Sequence, residues 1–331
     1  MREIGGYFEL ERFYGEAYHK DAIALNCGRG CIRYLVELRD IKKIWIPDFM
    51  CDSVPNAFIK AGAKIMTYKI KSDFLPDYDF DIKDDEWLFI CDYYGQLKDE
   101  DIRHAKEVSY GRIICDETQG FYRSPIKGVD TIYSCRKWFG VADGGYLISG
   151  DGSKLERGMP IDESHTRMPF VLGRYERSAT EFYKKSKENN DYFDDEPAKQ
   201  MSPITENLLR VIDYNNVAKR RRDNWDYLES RIGDQNLLQL QKPDVPFMYP
   251  FMVSDAGDIR ESLANKGVYI PILWPSVLKD KKSFQISYNY AKNILPLPID
   301  QRYEDVEMGY ILGLLQSFGY RIKEIKFETK R

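Results

Sequence analysis

The stretch from residue 112 to residue 149 constrains the fold more than any other part of the sequence, because it alternates short apolar runs with chemically useful polar residues. The first run, RIIC, leads directly into Asp116, with Gln119 three residues further on. The second run, DTIY, leads into Ser134, and Lys137 follows three residues later. Each run has the length and composition of a buried strand, so these polar residues are predicted to lie at the ends of neighbouring strands.

A carboxylate, a hydroxyl and a lysine at adjacent strand ends are the functional groups that a protein needs to bind pyridoxal phosphate. In this interpretation Lys137 forms the Schiff base, and Asp116 keeps the pyridine nitrogen protonated so that the ring can take up electrons. The Ser134 hydroxyl can donate to the phosphate. Taken singly, Asp116 and Ser134 have simpler explanations as turn formers or caps, and Lys137 as a solvated lysine. The order and spacing of the set favour the functional interpretation.

The same residues resemble the DegT/DnrJ/StrS family of sugar aminotransferases, within the fold-type-I pyridoxal-phosphate enzymes. In that family a strand ends in an acidic pair before small residues and a Gln or His, and a Ser, the Schiff-base Lys and a Gly-Gly strand follow. Here CDETQGF supplies Asp116 and Gln119, YSCRK supplies Ser134 and Lys137, and DGGYLI supplies the glycines. The gap between Ser134 and Lys137 is shorter than in many members, which is a departure from the family pattern.

The resemblance implies a large α/β domain with a mostly parallel central sheet, over residues 1–203, and a linking helix with a small C-terminal α/β domain over residues 204–331. It implies a transaminase that uses pyridoxal 5'-phosphate, in which Lys137 is catalytic and Gln119 supports the oxygen side of the ring. It also implies glutamate or glutamine as amino donor, a keto group on a nucleotide-linked sugar as acceptor, and a homodimer with the site at its interface. Two alternatives stay open: another pyridoxal-phosphate reaction on an unknown amine, and a non-catalytic relative that serves as a sensor or binding partner.

A second glycine-containing turn lies near the start of the chain, between a predicted strand at 22–25 and a helix beginning at Cys31. A strand, a turn and a helix N-terminus offer an anion free backbone N–H groups and a favourable helix dipole. Such turns are common, but the family places its phosphate-binding turn at this point. Gly28, Arg29 and Gly30 are therefore predicted to bind the cofactor through their backbone, with the Arg29 guanidinium as a second contact.

Strand-like and helix-like runs alternate through the first 150 residues, which argues for a parallel sheet wrapped by helices with ligands at the C-terminal ends of the strands. The predicted strands are 22–25, 44–47, 63–70, 87–90, 112–115, 130–133 and 146–148, and the predicted helices are 31–39, 48–61 and 101–108. Further on, the pattern predicts a long helix at 204–232, a strand at 245–253, a helix at 259–266, a strand at 268–274 and a helix at 303–318.

Three other features allow two interpretations each. The polar stretch 184–200 is typical of a solvated surface loop, and the alternative is a mobile lid over the substrate. The basic run 219–222 favours a solvated face over contact with a nucleotide's phosphates. The family stacks an aromatic ring on the cofactor after the second strand, where this chain has Met50 and Cys51, so Phe49 or Tyr93 could serve instead, or both could belong to the core.

Composition excludes several classes of protein. With 49 basic and 53 acidic residues the net charge is −4, which gives no reason to expect nucleic-acid or membrane binding. No run approaches the roughly 18 apolar residues that span a bilayer, and the N-terminus carries no apolar signal core, so a cytoplasmic location is expected. The six cysteines form no C-x-x-C pair and only three histidines accompany them, so no metal site is predicted and the thiols are expected to be reduced.

Overall fold

The computed structural model describes residues 4–279 and 285–323, so the outermost ends of the two predicted domains lie outside the described residues. A seven-stranded sheet contains β1 (Ile23–Leu25), β2 (Lys43–Pro47), β3 (Lys64–Tyr68), β4 (Trp87–Cys91), β5 (Ile113–Asp116), β6 (Asp130–Ser134) and β7 (Gly145–Ile148). The strands lie in the order β1-β7-β6-β5-β4-β2-β3. Only β7 runs antiparallel to its neighbours β1 and β6, which confirms the mostly parallel sheet.

The remaining elements surround this sheet or follow it in the chain. The helices are α1 (Gly28–Arg39), α2 (Ser53–Lys60), α3 (Asp99–Val108), α4 (Pro169–Glu176), α5 (Ala179–Tyr192), α6 (Pro203–Leu209), α7 (Tyr214–Ile232), α8 (Ala256–Asn265), α9 (Gln285–Asn293) and α10 (Asp305–Gln316). Two further strands, β8 (Tyr249–Met252) and β9 (Ile294–Leu297), form a separate antiparallel pair. In the described part of the chain, no helix has both the length and the apolar character needed to cross a membrane.

The central strands of the sheet are buried on both faces, as expected for parallel strands covered by helices. Leu88, Phe89 and Ile114 are fully inaccessible to solvent and pack in one apolar cluster with residues of α1 and α2. The predicted helix at 48–61 begins later than expected, because the backbone N–H of Asp48 donates to Tyr68 O (2.8 Å) and so prolongs the pairing of β2 with β3.

A second apolar cluster holds the C-terminal part together and begins on α7 with Trp225, Leu228 and Ile232. The predicted strand at 268–274 is wrong, since that segment forms no strand and β9 is the partner of β8. Its last residue, Trp274, instead packs on Phe49, which follows β2, with 4.2 Å between the ring centroids. The division of the chain between residues 203 and 204 stays a prediction.

The predicted long helix at 204–232 is in fact two helices, α6 and α7. Its start is confirmed, because the Ser202 hydroxyl accepts a hydrogen bond from Thr205 N (3.3 Å) and caps α6. The break comes from Asp213, whose side chain accepts from Asn216 N (2.9 Å) and begins a new helix. Aspartate is among the strongest helix caps, so this residue overrides the continuous apolar pattern.

The interpretation of residues 184–200 as a loop is wrong for its first half, which belongs to α5 up to Tyr192. Ser178 caps this helix, and its polar residues face solvent and pair along its surface, as Lys185 and Glu188 do at 2.9 Å. A polar helix of this kind has no apolar stripe long enough to reveal it in the sequence. The remaining residues of the stretch, 193–200, follow α5, and Gln200 forms an isolated β-bridge with Leu25.

The basic run on α7 is solvated at three positions, where Lys219, Arg220 and Arg222 make surface ion pairs. Arg221 contradicts that interpretation, because it is buried and its guanidinium lies 4.2 Å from the Trp138 ring centroid. It donates to Phe247 O (2.8 Å) and to Gln301 Oε1 (3.0 Å). Burial lowers its pKa to about 10, so it stays charged at neutral pH and joins α7 to both domains.

We expect Arg221→Met to lower the free energy of unfolding by about 2–4 kcal/mol, because it leaves buried carbonyl acceptors without a donor. Arg220→Met is the matched control: this neighbouring arginine makes only a surface ion pair with Glu304, and its loss is expected to cost less than about 1 kcal/mol. Urea unfolding of both variants measures the difference. Equal stability of the two variants would contradict the role of Arg221.

Candidate active site

The C-terminal ends of three parallel strands meet at one edge of the large sheet. In the register of the sheet Cys91 of β4 lies beside Asp116 of β5, which in turn lies beside Ile132 of β6. Immediately after β6 the chain makes a short 3-10 turn, Cys135–Lys137, which brings Lys137 back over this edge. Open α/β sheets bind their ligands at this edge.

Thr118 joins the two most important predicted residues. Lys137 Nζ donates to Thr118 Oγ1 (2.7 Å), and the backbone N–H of Thr118 donates to Asp116 Oδ1 (2.9 Å). The Asp116 side chain is buried, with 4% of the residue exposed, whereas Lys137 is exposed. The structure therefore brings the predicted acid and the predicted lysine together, with the amine accessible to a ligand and the carboxylate beneath it.

Gln119 has a structural partner on the neighbouring strand. Its Oε1 accepts a hydrogen bond from the backbone N–H of Tyr94 (2.8 Å), and Tyr94 adopts the left-handed conformation with φ 57°. A non-glycine residue in that region is uncommon and costs free energy, so the side chain of Gln119 stabilises the turn that follows β4.

The turn before α1 lies directly beside Thr118. A Cβ on Gly28 would lie 3.9 Å from Thr118 Cγ2. Cys27 caps α1, because its Sγ accepts from Gly30 N (3.3 Å). The Arg29 guanidinium is held by Asp194 and Asn190, so the backbone of Arg29 is the part with a free donor for a ligand at the helix N-terminus.

Several polar atoms of the site have no hydrogen-bond partner among the residues that the structure describes. They are Asp116 Oδ2, Gln119 Nε2 and the hydroxyl of Ser134, a residue that is 8% exposed. An acceptor beneath the lysine and donors toward the start of α1 fit a ligand that combines a protonated ring nitrogen with an anionic group. The residues present therefore fit pyridoxal phosphate.

A buried pair of carboxyl groups lies behind the site. Desolvation raises the pKa of both Asp92 and Glu117, and their mutual repulsion raises that of Glu117 further. Arg123 lies 3.5 Å from each of them, and Cys115 Sγ donates to Glu117 Oε1 (3.3 Å). One guanidinium cannot balance two buried carboxylates, so Glu117 holds a proton at neutral pH.

Phe49 and Tyr93 are both buried, at 0% and 1% exposure, and their rings lie 5.2 Å apart. The Tyr93 hydroxyl donates to the carbonyl oxygen of Phe49, and Trp274 packs on both rings. These contacts support the interpretation of the two aromatics as core residues.

Sequence reasoning missed Thr118 and Arg136, although both adjoin residues that it found. Thr118 lies between Asp116 and Gln119, and the alternation of side chains after β5 could have indicated that it faces Lys137. Arg136 precedes Lys137, but its hydrogen-bond partner Asn190 lies 54 positions further along the chain, so no local signal could have indicated these surroundings.

Solved structures resemble this chain closely in fold and weakly in sequence. No family model matches the sequence, and no curated protein matches it. The sugar aminotransferase CalS13 from Micromonospora echinospora superposes with a TM-score of 0.61 at 12% identity, over 90% of this chain and 87% of that one. The PLP form of Spr1654 from Streptococcus pneumoniae gives 0.65 at 14% identity, over 92% of both chains.

A DegT/DnrJ/EryC1/StrS aminotransferase from Brucella abortus gives a TM-score of 0.58 at 12% identity, over 90% of this chain and 85% of that one. Identities this low establish the fold and nothing finer. The chain therefore has the fold of these aminotransferases, the fold type I of pyridoxal-phosphate enzymes, as the sequence predicted.

We expect Glu117→Gln to be at least as stable as the wild type near pH 7. A glutamine keeps the neutral, hydrogen-bonded form, whereas the raised pKa means that the unfolded wild-type chain loses a proton that the folded chain retains. Wild-type stability is therefore lost as pH rises above about 4.5, and the advantage of Glu117→Gln should grow between pH 4.5 and 7. Urea unfolding at several pH values tests this, and an advantage that shrinks over that range would contradict a protonated Glu117.

Proposed function

We propose that this protein is a pyridoxal-phosphate-dependent aminotransferase that moves an amino group from glutamate or glutamine to a keto group on a nucleotide-linked sugar. The observation that carries the proposal is the connection of exposed Lys137 through Thr118 to buried Asp116, at the ligand-binding edge of a fold-type-I sheet. A surface lysine without a role would not need a buried carboxylate and a threonine hydroxyl beneath it.

The residues that would hold the cofactor have separate tasks. Asp116 Oδ2 would accept the hydrogen bond of a protonated ring nitrogen, since Oδ1 is already held by Thr118 N. Gln119 Nε2 would donate toward the ring oxygen, and Ser134 with the backbone N–H groups at Gly28 would bind the phosphate. When bound, pyridoxal phosphate supplies an electron-withdrawing ring that stabilises negative charge at the carbon next to the substrate nitrogen.

Lys137 is the group placed to move the proton. Its amine reaches solvent and has one hydrogen bond, to Thr118 Oγ1, which orients Nζ over the edge of the sheet. The free amine of Lys137 would take the proton from the donor's α-carbon and return it two bonds away, to the carbon on the other side of the donor nitrogen. The uncharged hydroxyl of Thr118 positions the amine without holding it in a salt bridge.

The substrate class rests on the comparison of folds. CalS13 is a sugar aminotransferase, and the superposition includes 90% of this chain and 87% of CalS13. The match extends over most of this chain and is not confined to the central sheet. A sugar acceptor is the substrate that these similarities support best.

We expect Lys137→Ala to abolish turnover, with a loss on the order of 10³-fold or more, because no other described amine hydrogen-bonds to Thr118. The measurement is transfer from glutamate or glutamine to keto-sugar nucleotides, together with borohydride reduction of the cofactor-loaded protein and peptide mapping. Reduction should attach the cofactor to Lys137 in the wild type. Full activity in the alanine variant, or attachment to a different lysine, would overturn the mechanism.

Asp116→Asn serves as the companion variant in the same experiment. It keeps the shape of the side chain and the hydrogen bond from Thr118 N, so cofactor should still attach to Lys137. Turnover should nevertheless fall strongly, because a neutral amide does not favour a protonated ring nitrogen. Near-normal turnover would remove Asp116 from its proposed role.

The proposal includes a homodimer with the site near the interface. The N-terminal segment presents apolar side chains almost wholly to solvent, including Ile4 at 96%, Tyr7 at 98% and Phe8 at 97% exposure. Exposed apolar residues grouped in this way mark interaction surfaces. A second copy of the chain is the partner that we propose.

Sedimentation equilibrium is expected to give about twice the 38.8 kDa mass of one chain. The double variant Tyr7→Asp and Phe8→Asp should shift the protein toward monomer, because charges replace the apolar contact. Val306→Asp is the control, since Val306 is also exposed (79%) but lies on α10 at the other end of the chain. A wild-type monomer at micromolar concentration would contradict the homodimer.

A further inference from the structure

Four arginines gather around Phe193 beside the start of α1. The guanidinium carbons of Arg136 and Arg167 lie 4.6 and 4.9 Å from the centroid of the Phe193 ring, and that of Arg29 lies at 5.8 Å. Arg33, one helical turn after Arg29, donates to the carbonyl oxygen of Phe193 (3.2 Å). Concentrating this much positive charge around one buried ring requires compensating anions.

Two of the four arginines have such anions within the chain, and a third is satisfied by backbone carbonyl oxygens. Arg29 forms an ion pair with Asp194, and Arg167 forms one with Asp162 at 2.6 Å. Arg33 is satisfied by the backbone carbonyls of Phe193, Asp194 and Glu196.

Arg136 is the exception. Over the residues that the structure covers it forms no ion pair, and its one hydrogen bond is a 3.2 Å contact from Nη2 to Asn190 Oδ1. A guanidinium carries several N–H donors, so most of them have no acceptor here. Burial and the nearby Arg29 and Arg167 lower its pKa to about 10, yet it remains a cation at neutral pH. The Arg136 side chain is only half-buried, so these unused donors are open to an anionic ligand.

The neighbours of Arg136 indicate where such an anion would bind. Arg136 and Arg29 donate to the same oxygen, Asn190 Oδ1, so their guanidinium groups lie side by side. Among the charges near the Cys27 thiol, Arg136 acts most strongly to lower its pKa, and Cys27 is the cap of α1. Arg136 also lies between Ser134 and Lys137 in the chain. The shared partner Asn190 and the influence on Cys27 place the guanidinium of Arg136 near the N-terminus of α1.

We propose that Arg136 is an anion-binding residue whose guanidinium contacts the phosphate of the cofactor at the N-terminus of α1. The planar fork of an arginine matches phosphate oxygens in a bidentate arrangement. The inference rests on the proposed function, because it assigns a further residue to that cofactor. Arg136 thereby supplies the positive charge that the uncharged Ser134 and backbone N–H groups lack.

The test compares pyridoxal 5'-phosphate with pyridoxal, which lacks the phosphate, by measuring the dissociation constant of each from absorbance titrations. Arg136→Gln is expected to weaken binding of pyridoxal 5'-phosphate on the order of 10- to 100-fold, the loss typical of a charged hydrogen bond. Binding of pyridoxal should change less than about threefold. Arg136→Lys should give an intermediate loss, because it keeps the charge without the fork.

Arg33→Gln is the matched control, since it removes one positive charge from the same cluster at a side chain already satisfied by carbonyl oxygens. It should change the affinity for pyridoxal 5'-phosphate less than about threefold. An equal loss for both compounds in Arg136→Gln would show a merely structural role and overturn the proposal. Unchanged cofactor affinity with a raised KM for a substrate would assign Arg136 to a substrate anion instead, which also overturns it.

The same titrations separate this proposal from the proposed function. If neither compound becomes attached to Lys137 of the wild type on borohydride reduction, the proposed function fails. If both attach to Lys137 and the two dissociation constants respond equally to Arg136→Gln, the function stands and only the role of Arg136 is lost.

Discussion

The site depends on the close approach of β7 to the turn that precedes α1. A Cβ on Gly145 would lie 2.7 Å from the carbonyl carbon of Cys27, and Gly144 N donates to Asn26 O (2.6 Å). No side chain fits into that contact, so glycine is required at position 145. Because β1 leads directly into α1 and β7 comes shortly after Lys137, pairing these two strands sets the helix N-terminus beside the lysine. Residues about 110 positions apart in the chain thereby form one site.

Asp116 and its neighbour Glu117 show how position decides the surroundings of a carboxyl group. Asp116 faces the open edge of the sheet, takes a hydrogen bond from Thr118 N and lies near the amine of Lys137. Glu117 points the other way, into the protein, where Asp92 and burial both raise its pKa. Alternation of side chains along an extended segment sends the two groups to opposite sides. These two adjacent residues therefore supply a hydrogen-bond acceptor at the edge of the sheet and a protonated group in the core.

The sequence was sufficient for features that arise from local patterns. Strands and helices of the first 150 residues lie close to where apolar runs and glycine turns predict them, and Asp116 and Lys137 follow from the ends of two such strands. Features that depend on distant partners could not be predicted. The burial of Arg221 depends on Trp138 and Phe247, which are distant in the chain. The polar helix α5 has no apolar stripe from which the sequence could predict it. The wrong strand at 268–274 has the same origin, because Trp274 packs on Phe49, a partner far away in the chain.

The arginine cluster belongs to this second kind and also shows what α5 does in the structure. The last turn of α5 and the residues after it supply Asn190, Phe193 and Asp194, which hold Arg29 and orient Arg136. The net charge of the chain is −4, so this positive region is a local arrangement and not a property of the whole surface. Local charge of this kind raises the concentration of anions at a cleft and orients them there. A helix that looks like a solvated polar stretch in the sequence thus has a structural role: its end holds the guanidinium of Arg29 and contacts that of Arg136.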